Sequence, residues 1–95
     1  MENKVNLRLY YDEDETREDE DVIRNELFNQ ILPLPFVETV EVHHVYTAEP
    51  YEAIVTVEYP DVFDGDSLTD NSVCQKIILK CDFLHNADTV DATHL

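Results

Sequence analysis

Ser72-Val73-Cys74-Gln75-Lys76-Ile77-Ile78-Leu79-Lys80-Cys81-Asp82-Phe83 is the stretch on which the fold turns. Read with a period of two, Val73, Ile77, Leu79, Cys81 and Phe83 share one face. Cys74, Lys76, Ile78, Lys80 and Asp82 take the other. Alternation of this kind predicts a strand over 72–83 with one buried side.

Three earlier runs read the same way. Val5, Leu7, Leu9 and Tyr11 alternate with Asn6, Arg8 and Tyr10, giving a first strand. Residues 37–46 place Val40, Val42, His44 and Tyr46 on one face and Thr39, Glu41, His43 and Val45 on the other. Residues 51–59 place Ala53, Val55, Val57 and Tyr59 inward, with Ile54 and Thr56 on the second face. Thr47 to Pro50 join these two runs, and the short spacing fits an antiparallel hairpin.

One segment carries helical spacing. Ile23, Leu27 and Ile31 recur every four residues with Phe28 beside them, and Pro33 and Pro35 end the run. The helix is expected over residues 16–32, with Thr16 as N-cap and Asp19 as the acidic partner of a capping box. The order is therefore strand, helix, strand, strand, strand. That is an α+β fold, one helix on a four-stranded and mainly antiparallel sheet. Residues 1–83 form the single domain, and 84–95 form a polar tail in which periodicity is lost. The expected core is Leu7, Leu9, Ile23, Leu27, Ile31, Val42, Val55, Val57, Ile77 and Leu79. One helix cannot cover both faces of a sheet, so the second face either meets water or pairs with another copy in a homodimer.

Composition narrows the function. The chain has 95 residues with 43% apolar content, enough for one folded domain. Twenty-two Asp and Glu against six Lys and Arg give a net charge of −16. Such a balance opposes direct binding to nucleic acid or to an anionic membrane, since both require cations. No apolar run reaches the length of a membrane span and no secretory signal is evident, so a cytoplasmic protein is expected. Cys74 and Cys81, on a strand, would lie too far apart for a disulfide, and are read as free buried thiols.

The acidity is concentrated. Asp12-Glu13-Asp14-Glu15-Thr16-Arg17-Glu18-Asp19-Glu20-Asp21 holds eight carboxylates in ten residues. At the ~1.5 Å rise of a helix this is about one charge per 1.9 Å, close to the ~1.7 Å of duplex DNA. A second acidic stretch follows Pro60, with Asp61, Asp64, Asp66 and Asp70 in a turn-rich loop. The solvated face is the plain alternative for both, since like-charge runs usually need no partner.

No catalytic constellation competes with this. Glycosidase-like carboxylate pairs arise by chance at this acid content, and a domain this small offers little cleft. The 64–70 loop lacks the spacing of a calcium-binding hand, and Asp serves turns by local hydrogen bonds. His43 and His44 are adjacent and are expected on opposite faces of their strand, unable to share a metal. A Cys81–His85 nucleophile is outweighed by the core position of Cys81. No enzyme activity, metal or cofactor is expected.

In size, charge, carboxylate density and composition the chain resembles the small acidic inhibitors by which bacteriophages imitate DNA. The resemblance implies a protein, often dimeric, that acts in the host bacterial cytoplasm. It would occupy the basic surface of a DNA-binding protein: first a nucleoid protein of the histone-like HU type, otherwise a repair, restriction or CRISPR protein. The expected contact residues are Asp12, Glu13, Asp14, Glu15, Glu18, Asp19, Glu20 and Asp21, with Asp61, Asp64, Asp66 and Asp70. Mimicry predicts the two sets in a strip at phosphate spacing. The alternative, an interaction or assembly module whose acidity serves solubility, predicts an even spread.

Overall fold

The computed structural model describes residues 2–12, 19–48 and 51–90. Six strands and two helices follow in order: β1 (Glu2–Tyr11), α1 (Glu20–Ile31), β2 (Thr39–Val45), β3 (Glu52–Pro60), β4 (Val62–Phe63), β5 (Asp66–Ser67), α2 (Asp70–Lys80) and β6 (Leu84–Thr89). The main sheet runs β2-β3-β1-β6 with every neighbouring pair antiparallel. Setting aside the β4–β5 hairpin, the order is β-α-β-β-α-β, the split β-α-β arrangement also called ferredoxin-like. The α+β class and the four-stranded antiparallel sheet agree with the reading of the sequence. The helix count and the identity of one strand do not.

Residues 72–83 are the first correction. They are not a strand: α2 covers residues 70–80. Its start is written locally. Ser72 N–H donates to Thr69 Oγ1 at 3.1 Å, and Thr69 N–H donates to Ser72 Oγ at 2.8 Å, a reciprocal capping box. Asp70 in the first turn and Lys80 in the last both suit the helix dipole. Val73, Ile77 and Cys81 are four apart, a spacing that keeps one face in either a strand or a helix. Leu79 separates the two geometries. It lies 79% exposed while Ile77 is wholly buried, and Cys74 joins the buried side.

The fourth strand of the sheet is β6, taken from the stretch expected to be a tail. It lies along the outer edge of β1, with Leu9 opposite Ala87 and Tyr11 opposite Leu84. A register shift between Tyr10 and Tyr11 leaves only Leu84 and Ala87 of this strand buried. That spacing of three hides the alternation.

The helix α1 starts at Glu20, not at residue 16. Asp19 is its N-cap and accepts from Asp21 N–H at 2.9 Å. Ile23, Leu27 and Ile31 are wholly buried, as their spacing requires. The chain leaves the helix at Leu32, ahead of Pro33.

A bulge in β2 is the third correction. Val42 pairs with Val55 but His44 pairs with Ile54, so His43 is the extra residue. The bulge flips the alternation: Val45 enters the core, while His44 joins Ile54 on the opposite face. Val42 is half-buried against the core rather than within it. Both helices and the Leu7, Leu9, Val55 and Val57 side of the sheet share one cluster. Neither described helix lies over the other side of the sheet.

Candidate partner-binding surface

Strand direction decides where the acidic residues meet. β1 ends at Tyr11, so Asp12 stands at one end of the sheet. Asp19, Glu20 and Asp21 open the helix that follows. Asp61 follows β3 beside the start of β1, where Glu2 faces Pro60 and Asn3 Nδ2 donates to Asp61 Oδ1 at 2.7 Å. Ten strand residues separate the two places, about 30 Å at ~3.3 Å per residue. The described members of the two acidic sets therefore occupy opposite ends of the sheet and do not form one continuous strip.

At the first end, Asp12, Asp19, Glu20 and Asp21 are all exposed. Glu13, Asp14, Glu15 and Glu18 fall outside the described residues, so the helical charge spacing applies to Glu20 and Asp21 alone. Glu20 pairs with Arg24 at 2.7 Å, and Arg24 Nη1 also donates to the carbonyl of Val42 at 2.6 Å. That second bond ties α1 to the outer edge of β2, blunting an exposed strand edge. Asp12 lies 3.6 Å from His85. Asp82 belongs to this end too, since it sits in the turn just before Leu84, the partner of Tyr11. No local pattern groups Asp82 with residue 12, because seventy positions separate them.

At the second end Asp61, Asp64 and Asp70 each have a local structural employment. Asn3 donates to Asp61 and holds its carboxyl below the ordinary range. Asp64 and Gly65 both take positive φ, 53° and 84°, as a two-residue type I′ hairpin between β4 and β5 demands. Asp70 accepts from the Tyr59 hydroxyl. Burial, then this bond, pushes the Tyr59 phenol well above its usual value. Among the described residues no group of three or more His, Cys, Asp or Glu is placed to hold a metal ion.

The uncovered sheet face is polar and internally bonded. His43 Nε2 and Thr56 Oγ1 are 2.7 Å apart, and Thr56 Oγ1 donates to Asn6 Oδ1 at 2.6 Å. Tyr10 donates to Asp88 at 3.1 Å, and Lys4 and Arg8 pair with Glu58 and Glu52 at 3.8 and 3.7 Å. His44 stacks on Tyr46 with ring centroids 5.5 Å apart. Adjacent His43 and His44 thus share this face, contrary to the expectation from strict alternation; the bulge is the cause. Among the described residues only Ile54 is buried here, under these polar neighbours.

Cys81 caps the C-terminus of α2, wholly buried, and Cys74 is buried about two turns earlier. Burial pushes Cys81 up to about 11 and Cys74 upward as well. Both shifts run against thiolate formation, the reverse of what a nucleophilic Cys–His pair with His85 would need. The thiols are unpaired, as expected, though on a helix: seven residues advance only about 10 Å, still beyond disulfide reach. No described helix is long and apolar enough to cross a membrane. No protein-family model, no curated protein and no solved structure matches the chain.

Proposed function

We propose that this protein is an acidic competitor of DNA, which occupies the basic DNA-binding surface of another protein and does not itself bind nucleic acid. The observation that carries the reading is the gathering of exposed carboxylates at the end of the sheet where β1 exits. Asp12, Asp19, Glu20, Asp21 and Asp82 belong to that end, from three separate parts of the chain. The 13–18 run, with four more carboxylates, links Asp12 to Asp19. A cationic surface shaped for phosphates would be drawn to such an end by Coulomb attraction, and the complex should weaken as salt rises. A nucleoid protein of the HU type is the first target to try, because backbone charge and shape satisfy it. Repair, restriction and CRISPR proteins are the next, all in the host bacterial cytoplasm.

One observation favours the second reading, an interaction module whose acidity serves solubility. The other acidic set stands about 30 Å away, with Asp61 and Asp70 bonded to Asn3 and Tyr59 and Asp64 in a turn. A gel-shift titration separates the two. Under the first reading, the protein displaces duplex DNA from the basic target without supershifting it. Changing Asp14, Glu15, Glu18, Asp19, Glu20 and Asp21 to Asn or Gln lowers potency by roughly tenfold or more, ~1.4 kcal/mol of association. The variant keeps its helix, since Asn caps as well as Asp. Undiminished displacement by that variant would reject the reading, as would failure of the parent to displace DNA from any basic target.

A further inference from the structure

The helix that the sequence concealed also presents the most exposed large apolar side chain among the described residues, Leu79. It stands over a groove of about 300 Å³ between α2, the β4–β5 hairpin and the α1–β2 connection. Leu34, Phe36, Phe63 and Leu68 supply the apolar floor. Lys76 and Lys80 line the α2 side, while Asp64 and Asp66 line the hairpin side.

The charges on these walls are distinctive. Three of the five cations among the described residues, Lys4, Arg8 and Arg24, have carboxylate partners within 4 Å. Lys76 and Lys80 have none among the described residues, in a chain with 22 carboxylates. Asp64 and Asp66 form no ion pair among the described residues either. Two cations and two anions without ion-pair partners among the described residues therefore line one apolar groove, and locally their charges sum to zero.

We propose that this groove is the seat of a second copy of the chain, docked about a two-fold axis. A two-fold contact must be self-complementary, so whatever one copy offers the other must accept. Here Lys76 and Lys80 of each copy meet Asp64 and Asp66 of the other, and each Leu79 is buried between them. Local neutrality matters, because a body of net charge −16 repels its own kind over the rest of its surface. The uncovered sheet face, the other candidate for self-association, is polar, and its cations Lys4 and Arg8 are already paired internally. The groove dimer does not depend on the proposed competition with DNA.

The contact is small. Ten residues line the groove, against about 20–30 a side in a standard interface, so the dimer is weak. Sedimentation equilibrium of the full chain from about 10 μM to about 1 mM spans the range expected of it. The parent should move from 11.1 kDa toward twice that mass with concentration. Leu79→Gln, at a site exposed enough to leave folding intact by circular dichroism, should weaken association by roughly tenfold or more. Lys76→Glu with Lys80→Glu should do the same, and so should Asp66→Lys. Combining those three substitutions should restore part of the loss, because the hairpin wall then offers a cation to the new carboxylates of α2. A parent that stays monomeric throughout overturns the proposal. So does a dimer that Leu79→Gln leaves unchanged, which would place the contact on another surface.

Discussion

Replacing Ile77 and Leu79 by alanine, one at a time, distinguishes a helix over 70–80 from a strand in a single comparison. On a strand the two side chains share a face and should cost about the same. On α2 they are some 200° apart at ~100° per residue, and the burial differs accordingly: none of Ile77 is exposed, against 79% of Leu79. Ile77→Ala removes three buried carbons, about 2.4 kcal/mol at ~0.8 kcal/mol each. The cavity left among core neighbours adds to this, placing the loss in the range of about 2–5 kcal/mol. A domain of this size has a total stability of roughly 5–14 kcal/mol, so the change is a large fraction of it. Leu79→Ala should stay within about 0.5 kcal/mol of the parent, since alanine also has the better helix propensity. Urea titration followed by circular dichroism measures both. With a slope near 1 kcal/mol per molar, the Ile77 midpoint should fall by about 2 M or more and the Leu79 midpoint should hardly move. Equal losses at the two positions, or a loss above about 1 kcal/mol at Leu79, would refute the helix and the core built on it.

Thr69→Ala removes an N-cap bonded in both directions to Ser72 and should cost about 1 kcal/mol, read as a lower melting temperature; Thr69→Ser should recover most of it. Alkaline pH should destabilise the fold. Burial raises Cys81 from its ordinary 9.0 to about 11, so the neutral thiol stabilises in full below about 9 and that contribution is lost as pH climbs through about 11. Tyr59 and Tyr11, both raised mainly by burial, add to the loss above about 10, and a urea midpoint flat from pH 8 to beyond 10 would contradict this. Moderate salt should raise the melting temperature by screening the repulsion of a −16 chain over ~8–10 Å; a melting temperature indifferent to salt would show that the carboxylates do not oppose folding.

The chain's alternating runs in β1 and β3 and its four-residue spacing in α1 were legible in the sequence, because each element packs one face against a single core. Ile23, Leu27 and Ile31 could lie nowhere else, and Leu7, Leu9, Val55 and Val57 are buried as alternation demands. The net charge, the free thiols and the acidic run are likewise properties of the residues themselves. Residues 72–83 were ambiguous on physical grounds: positions four and eight apart satisfy a period of two and a period of 3.6 alike. The Thr69–Ser72 capping box was the local signal that could have settled it. β6 has only Leu84 and Ala87 to bury, so it exists as a strand because the free edge of β1 accepts it, a long-range pairing that no local pattern announces. The bulge at His43 likewise arises where β2 meets β3, and it alone brings His43 and His44 to one face. The sequence determined how much charge this protein carries. Only the directions of β1 and β3, which run oppositely across about 30 Å, decided that its two acidic sets stand apart and that Asp82 joins Asp12.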